Sequence, residues 1–378
     1  MMDLIEREFI LSSDLCHLNH AAVAPWPKRT VEAVARFAEE NGSSGSRHYQ
    51  RWLETEQSLR VQLQTLIGAD SSDEIALLKS TSEALSVVAY GLDWSAGDQV
   101  VISSQEFPSN RIVWESLKPL GVEVIEVDLD SGISPEQQMI DAITARTRLL
   151  SVSSVQYASG LALDLQPIGA ACRQRGVAFC VDAIQGLGVK PFDVQACQAD
   201  FVMADGHKWM LGPEGLALFY CRSEWIDRLT LRQYGWHMVE AMGDYDRREW
   251  RPADTARRFE CGSPNMLGIH ALQASLSLLL EVGIQNVFDS VSSKISYLID
   301  KITINDGIIL SEQVPHRRAG IVTFRFEGED IDARYRYLQR NGVICALRGG
   351  GIRFSPHFYT SKTTLERALS VLTQPLKC

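Results

Sequence analysis

Two side chains in this sequence have the types and positions for amine chemistry. Lys208 lies in Ala204-Asp205-Gly206-His207-Lys208-Trp209, directly after the apolar run Phe201-Val202-Met203. Asp182 closes a second apolar run, Val177-Ala178-Phe179-Cys180-Val181, and Gln185 follows it closely. Short apolar runs of this kind read as strands, and open α/β sheets place their ligands at strand ends. A lysine can form an imine with an aldehyde. A carboxylate can keep a pyridine nitrogen protonated, because an opposite charge favours the charged form. These are the two groups that pyridoxal phosphate (PLP) requires of a protein. Each has a plainer alternative: Lys208 as a surface lysine, and Asp182 as the cap of the next helix.

Further residues could serve the same cofactor. Ser80-Thr81-Ser82-Glu83 stands between the apolar Ile75-Ala76-Leu77-Leu78 and a helix-like stretch from Ser82 to Tyr90. A helix N-terminus offers unpaired N–H groups and a favourable dipole to a phosphate, and the Thr81 and Ser82 hydroxyls add donors. The same residues also spell a capping box. Gln185 could donate to a phenolic oxygen, and His207 could help to hold phosphate. Gly206, Gly212 and Gly215 around Lys208 suggest a tight backbone beside a ligand. Arg348 and Arg353 flank Gly349-Gly350-Gly351. Arginine's planar fork binds a carboxylate through two parallel bonds, and the glycines would let a small substrate approach; a solvated loop is the alternative. Cys16, His17 and His20 lack a second ligand pair, so no metal is expected. No Gly-x-Gly-x-x-Gly follows a strand, which argues against a dinucleotide site.

The elements that must position these groups alternate along the first two thirds of the chain. Strands are expected at Ile75–Leu78, Gln99–Ile102, Val122–Val127, Leu149–Val155, Val177–Val181, Phe201–Ala204 and Gly215–Tyr220, with helices at Ser82–Tyr90 and Asn110–Leu120. This alternation predicts an α/β fold with a mainly parallel sheet. A charged, aromatic loop runs from Tyr234 to Arg258, and a helix is expected from Met266 to Val282. Beyond it, the alternating Ile321–Phe326, a helical Asp330–Arg340 and two short strands around Gly349–Gly351 predict a smaller α+β part. The expected division is a large domain over residues 17–262 and a small domain from residues 1–16 and 263–378.

Bulk properties narrow the partners. The 378 residues carry a formal net charge of −10, which argues against nucleic acid, since phosphate contacts need clustered Lys and Arg. The eight cysteines form no Cys-x-x-Cys, and reduced cytosolic thiols are the simplest reading. Met1 to Glu8 is charged, without a signal-peptide core. The apolar Met266–Leu280 is too short to span a bilayer, so no membrane partner is expected.

In this order the motifs resemble class V aminotransferases, the fold-type I PLP group that includes cysteine desulfurases, selenocysteine lyases, isopenicillin N epimerase and kynureninase. Leu18-Asn19-His20-Ala21-Ala22-Val23-Ala24-Pro25 resembles the N-terminal active-site segment, Thr81-Ser82-Glu83-Ala84 the phosphate turn, and Val181-Asp182-Ala183-Ile184-Gln185-Gly186 the pyridine-binding strand end. Gly206-His207-Lys208 with Gly212-Pro213-Glu214-Gly215 resembles the Schiff-base motif. Phe259-Glu260-Cys261-Gly262-Ser263-Pro264-Asn265 resembles the segment that reaches the neighbouring subunit's cofactor, and Ile352-Arg353-Phe354-Ser355 the substrate-carboxylate strand. The resemblance implies a cytoplasmic homodimer with a shared site. Ser263 would bond the phosphate of the other subunit, or alternatively cap the helix near Met266. The substrate would be a small amino acid held by Arg353, Arg348, Tyr157, His20 and Ala21. Its amine would displace Lys208 in an external aldimine, followed by transamination or elimination.

Four departures bear on the reaction. Desulfurases have a histidine over the pyridine ring where this chain has Phe107, which can stack but cannot shuttle protons. Their nucleophilic cysteine follows the arginine matching Arg348; here the glycines lead directly to Arg353, and Cys345 precedes the loop. Tyr157 replaces an asparagine, and Asp205 stands where many relatives have a phosphate-binding serine. A cysteine desulfurase or selenocysteine lyase is the enzymatic alternative. A non-catalytic binding module is the other, and the retained lysine, acid and arginine speak against it.

Overall fold

The computed structural model describes residues 2–130, 132 and 134–376; Met1 and Cys378, read above, lie outside them. Its centre is a seven-stranded sheet in the order Ile75–Leu78, Ala217–Cys221, Phe201–Asp205, Ala178–Asp182, Thr147–Ser153, Gln99–Ser103, Glu123–Val127. Ala217–Cys221 runs antiparallel to both neighbours, and the remaining pairings are parallel. All seven expected strands are present. Parallel strands covered on both faces read as continuous apolar runs, which is how they stood out in the sequence.

Side-chain alternation divides the core. Phe179, Val181, Val202 and Leu218 face one core, shared with Leu59 and Leu63 of the helix Tyr49–Ile67 and Leu272 and Leu276 of the helix Met266–Val282. Cys180, Phe201, Met203 and Phe219 face the other, with Leu85 and Val88 of the helix Thr81–Gly91 and Trp114 of the helix Ser109–Glu115. The expected helix over 110–120 ends early and resumes as a single 3-10 turn, Lys118–Leu120. Pro119 lacks the N–H needed to continue the ladder.

A second sheet of four antiparallel strands follows the order Ala346–Arg348, Gly351–Phe354, Val322–Phe326, Gly307–Ile309. Gly349 and Gly350 form the turn between its first two strands, at φ 56° and 74°. Two successive left-handed residues are what a two-residue hairpin demands. The turn gives Gly349 and Gly350 a structural reason of their own. The N-terminal Cys16–His17 pairs in parallel with Val343–Ile344, and Asn19 bridges Ser355. This stitches the segment before Ala21 to the far end of the chain.

No single helix among the described residues is long and apolar enough to cross a membrane; Met266–Val282 and Ile284–Ile304 meet at an 80° bend.

Candidate active site

The strand ends converge as the sequence suggests. The register pairs Ser153 with Asp182 and Asp182 with Met203, so Asp182 and Asp205 finish on the same edge of the sheet. A cavity of about 220 Å³ opens there, and Ala21, Thr81, Phe107, Tyr157, Asp182, Gln185, His207, Lys208, Arg348 and Arg353 all line it, with Asp205 and Ser109. A larger cavity of about 540 Å³ lies beside Lys190 and Arg317, but Arg317 is already paired with Glu136 at 2.9 Å.

Lys208 is buried, and its Nζ stands 5.5 Å from the centre of the Phe107 ring. Nζ makes no hydrogen bond or ion pair with the described residues. The turn after it is strained: Leu211 is left-handed at φ 59°, and its N–H donates to the Lys208 carbonyl at 3.1 Å. Such a backbone costs on the order of 1–3 kcal/mol and persists where packing fixes it; Leu211 is fully buried. Gly206 and Gly212 have a packing reason, since a Cβ on either would meet Leu272 at 3.0 and 2.6 Å. They let the helix Met266–Val282 close against the lysine turn, a different role from the expected approach of ligand.

Asp182 accepts from the Ile184 N–H at 3.0 Å, and Gln185 is fixed by donating to the Ala21 carbonyl and accepting from Trp209 Nε1. Burial pushes the Asp182 carboxyl above its ordinary range and the Lys208 ammonium below its own. A ring cation beside Asp182 would reverse the first shift.

Arg353 is also buried. Its Nη1 donates to the Tyr157 carbonyl at 2.7 Å, while its buried Nε has no partner among the described residues. Burial first, and Arg348 second, push the guanidinium down to about 10. A buried cation without a carboxylate is costly, and an anionic ligand would remove that cost. Tyr157 serves through its carbonyl, and its ring meets Phe107 edge-on at 5.2 Å. Arg348 is exposed, at the cavity rim.

Three expected residues lie off the lining. The Ser82 hydroxyl is exposed and donates to Ser109 at 2.9 Å. His20 sits in the core instead of facing a substrate: Nδ1 bonds the Ser355 carbonyl and Nε2 bonds Tyr359 at 2.6 Å. That corrects its expected place, since both ring nitrogens are committed to holding the N-terminal segment on the strand end at Ser355. Ser263 is exposed, beside Gly215 and Asn265 in a separate depression. It does not cap the helix, because the Asn265 side chain accepts from Gly268 N–H.

Glu106 escaped the sequence reading. It is buried and accepts from Asn110 Nδ2, the Ser153 N–H and hydroxyl, and Gln156 Nε2. Burial raises its carboxyl, and its charge in turn raises that of Asp182. Adjacency to Phe107 was the only signal. A second buried group, Glu56, His237 and Glu260, has its ligand atoms within 4.8 Å of one another. The Arg60 guanidinium already bonds both carboxylates, making it an ion-pair cluster. Glu260 also accepts from the Leu77 N–H, anchoring the edge strand that leads to Thr81.

Fold and cavity together define an enzyme of the fold-type I PLP group. The chain belongs to the class V aminotransferase family, whose sequence model matches residues 16–364. It is 30% identical to a probable cysteine desulfurase of Methanothermobacter thermautotrophicus, over 96% of this chain and 95% of that protein. It is 32% identical to the uncharacterised aminotransferase YcbU of Bacillus subtilis, over 84% of this chain and 83% of that one. The apo structure of a cysteine desulfurase from Thermococcus onnurineus superposes with a TM-score of 0.89 at 23% identity, covering 98% and 97% of the two chains.

PLP is the cofactor of this enzyme. The lining residues fit it: a buried amine without a hydrogen bond, a carboxyl at the strand end, and a buried His207 Nδ1 without a partner. Bound PLP supplies an electron-withdrawing ring that stabilises negative charge at the Cα of an amine. Lys208 would hold its carbonyl carbon, Asp182 its ring nitrogen, and Thr81 with His207 its phosphate.

Proposed function

We propose that this enzyme transforms a small amino acid at Cα, by transamination or by elimination of a β-substituent. One observation carries the reading: Arg353 presents a buried guanidinium, short of partners, in the same cavity as Lys208. Arg353 would grip the substrate carboxylate and so orient its Cα toward Lys208. Lys208 is the amine placed to move the proton at the substrate's Cα. Its depressed basicity leaves more of it as the free amine near neutral pH. Asp182 keeps the ring nitrogen protonated. Phe107, 37% exposed at the cavity mouth, offers a face for stacking.

Cysteine desulfurase is the second reading, favoured by the names of the relatives. Two features speak against it. No cysteine among the described residues lines the cavity. Cys345 is buried, with its thiol pushed up to about 12 by burial, whereas a nucleophilic thiol needs the opposite shift. The test is a spectral screen of amino acids against the PLP-loaded protein, with product analysis of each hit. A 2-oxo acid, formed with an aminated cofactor or with ammonia, is the expected outcome. Alanine and persulfide from cysteine, at the rate of the best substrate, would establish the second reading instead.

We also propose a homodimer in which Ser263 reaches the partner's phosphate. Ser263 is exposed and free of the capping role, and Tyr234, Trp236, Tyr245 and Trp250 expose their rings on the adjoining segment. Exposed aromatics in number mark interaction surfaces. A monomer that binds PLP as tightly as any dimer, measured by light scattering and titration, would rule this out.

A further inference from the structure

The helix Thr81–Gly91 points its N-terminus into the cavity, and its first turn should present three unpaired N–H groups to a phosphate. Two of them are already taken by the chain. Ser80 Oγ accepts from Glu83 N–H at 3.2 Å, and Asp205 Oδ2 accepts from Thr81 N–H at 3.1 Å. The contact with Asp205 is reciprocal, since the Asp205 N–H donates to Thr81 Oγ1 at 3.1 Å. Only the Ser82 N–H is left open, among the described residues. A carboxylate oxygen therefore sits where an anion would sit, on the N–H of Thr81, while the Asp205 backbone holds the Thr81 hydroxyl.

We infer that the Asp205 carboxylate is an internal stand-in for the cofactor's phosphate, which must displace it from the Thr81 N–H when PLP binds. The inference rests on PLP occupying this cavity. Its physical basis is competition for one donor, the Thr81 N–H at the helix end. A carboxylate satisfies the helix end and its dipole, and phosphate oxygens seek the same donor. The competition is sharpened by like charge. Asp205 shares the cavity with Asp182, whose carboxyl it helps to raise, and only Lys208 is placed to attract it. A phosphate dianion would add further negative charge at that point, and Asp205 must either swing off Thr81 or take up a proton. Asp205 is half-buried at the strand end and lines the cavity itself. The consequence is a cofactor held less tightly than the cavity could hold it, and an empty form whose helix end is already satisfied.

The test uses Asp205→Asn, which keeps the shape and removes the charge, and Asp205→Ser as a second variant in case the first folds poorly. PLP affinity of the cofactor-stripped full chain is read from quenching of tryptophan fluorescence. Thermal stability of the stripped chain is read with and without inorganic phosphate. Loss of one opposing charge should tighten PLP binding at least roughly tenfold in either variant. Inorganic phosphate should stabilise the variants more than the wild type. PLP bound by the variants no more tightly than by the wild type, with the same phosphate response, overturns the competition. A wild-type protein that takes up no PLP would overturn the cofactor assignment as well, so the two failures are distinguishable.

Discussion

Arg353→Lys keeps the charge and removes the fork, and the structure sets the size of the effect. Arg353 Nη1 is committed to the Tyr157 carbonyl, which leaves the edge carrying Nε, unpartnered and buried, for a carboxylate. A lysine ammonium must divide its donors between that carbonyl and the substrate, so one charge-assisted hydrogen bond is lost. Such a bond contributes about 1.5–3 kcal/mol, which corresponds to roughly 10- to 150-fold in affinity. The assay follows the visible band of the PLP-loaded enzyme during titration with an amino acid and with its decarboxylated amine. The variant should lose the stated factor for the amino acid and little for the amine. Equal losses for both would refute the carboxylate role and leave Arg353 as a structural group that holds Tyr157.

Three other outcomes are expected. Lys208→Ala should abolish borohydride-fixed cofactor, read by intact mass, while retaining noncovalent PLP; label persisting on another lysine would move the site. Glu260→Gln breaks the bidentate contact with Arg60 and should cost about 3–5 kcal/mol, which at ~2.1 cal/mol/K per residue lowers Tm by ~4–6 °C; a shift below about 1 °C would show that Glu56 suffices. His20 and His357 should drive acid unfolding. Each is held neutral: His20 Nε2 faces the Tyr359 hydroxyl, and His357 Nδ1 accepts from the Phe358 N–H while Nε2 meets the Trp209 carbonyl. Burial pushes His20 well below its ordinary range and His357 to about 3. Below the unfolded value near 6.5 the unfolded chain binds protons that the folded chain refuses. Stability is therefore complete above that pH and falls as pH drops, by up to about 1.4 kcal/mol per pH unit for each histidine. His357→Gln should flatten the fall in Tm between pH 6.5 and 4.5, and an unchanged slope would point to other groups.

The groups read most directly were those that end a buried strand. Asp182 and Lys208 follow uninterrupted apolar runs, and a parallel sheet has only one edge on which such ends can meet. Residues whose role depends on a distant partner were opaque. Nothing near His20 announces Tyr359, and nothing near Asp205 announces Thr81. Glu106 sits one residue from Phe107, but its acceptors are satisfied largely by residues of another strand end, Ser153 and Gln156. The sequence suggests a ligand's approach at the glycines around Arg348 and Lys208, whereas Gly349 and Gly350 serve a hairpin turn and Gly206 and Gly212 make room for Leu272. A glycine in a sequence shows that space or a left-handed backbone is needed, without saying what needs it.

The pairing of Cys16–His17 with Val343–Ile344 also fixes an order of events during synthesis. The seven-stranded sheet has all its strands once Cys221 is made, and the amine and acid of the cavity are present by then. The N-terminal segment, made first, waits for a partner from the last tenth of the chain, and Arg353 arrives later still. Contacts so distant in sequence form slowly, so the nascent chain carries this two-residue strand unpaired through most of translation. A chain truncated before residue 343 would keep the sheet and its lysine while losing both the clasp on Ala21 and the arginine that recognises a carboxylate.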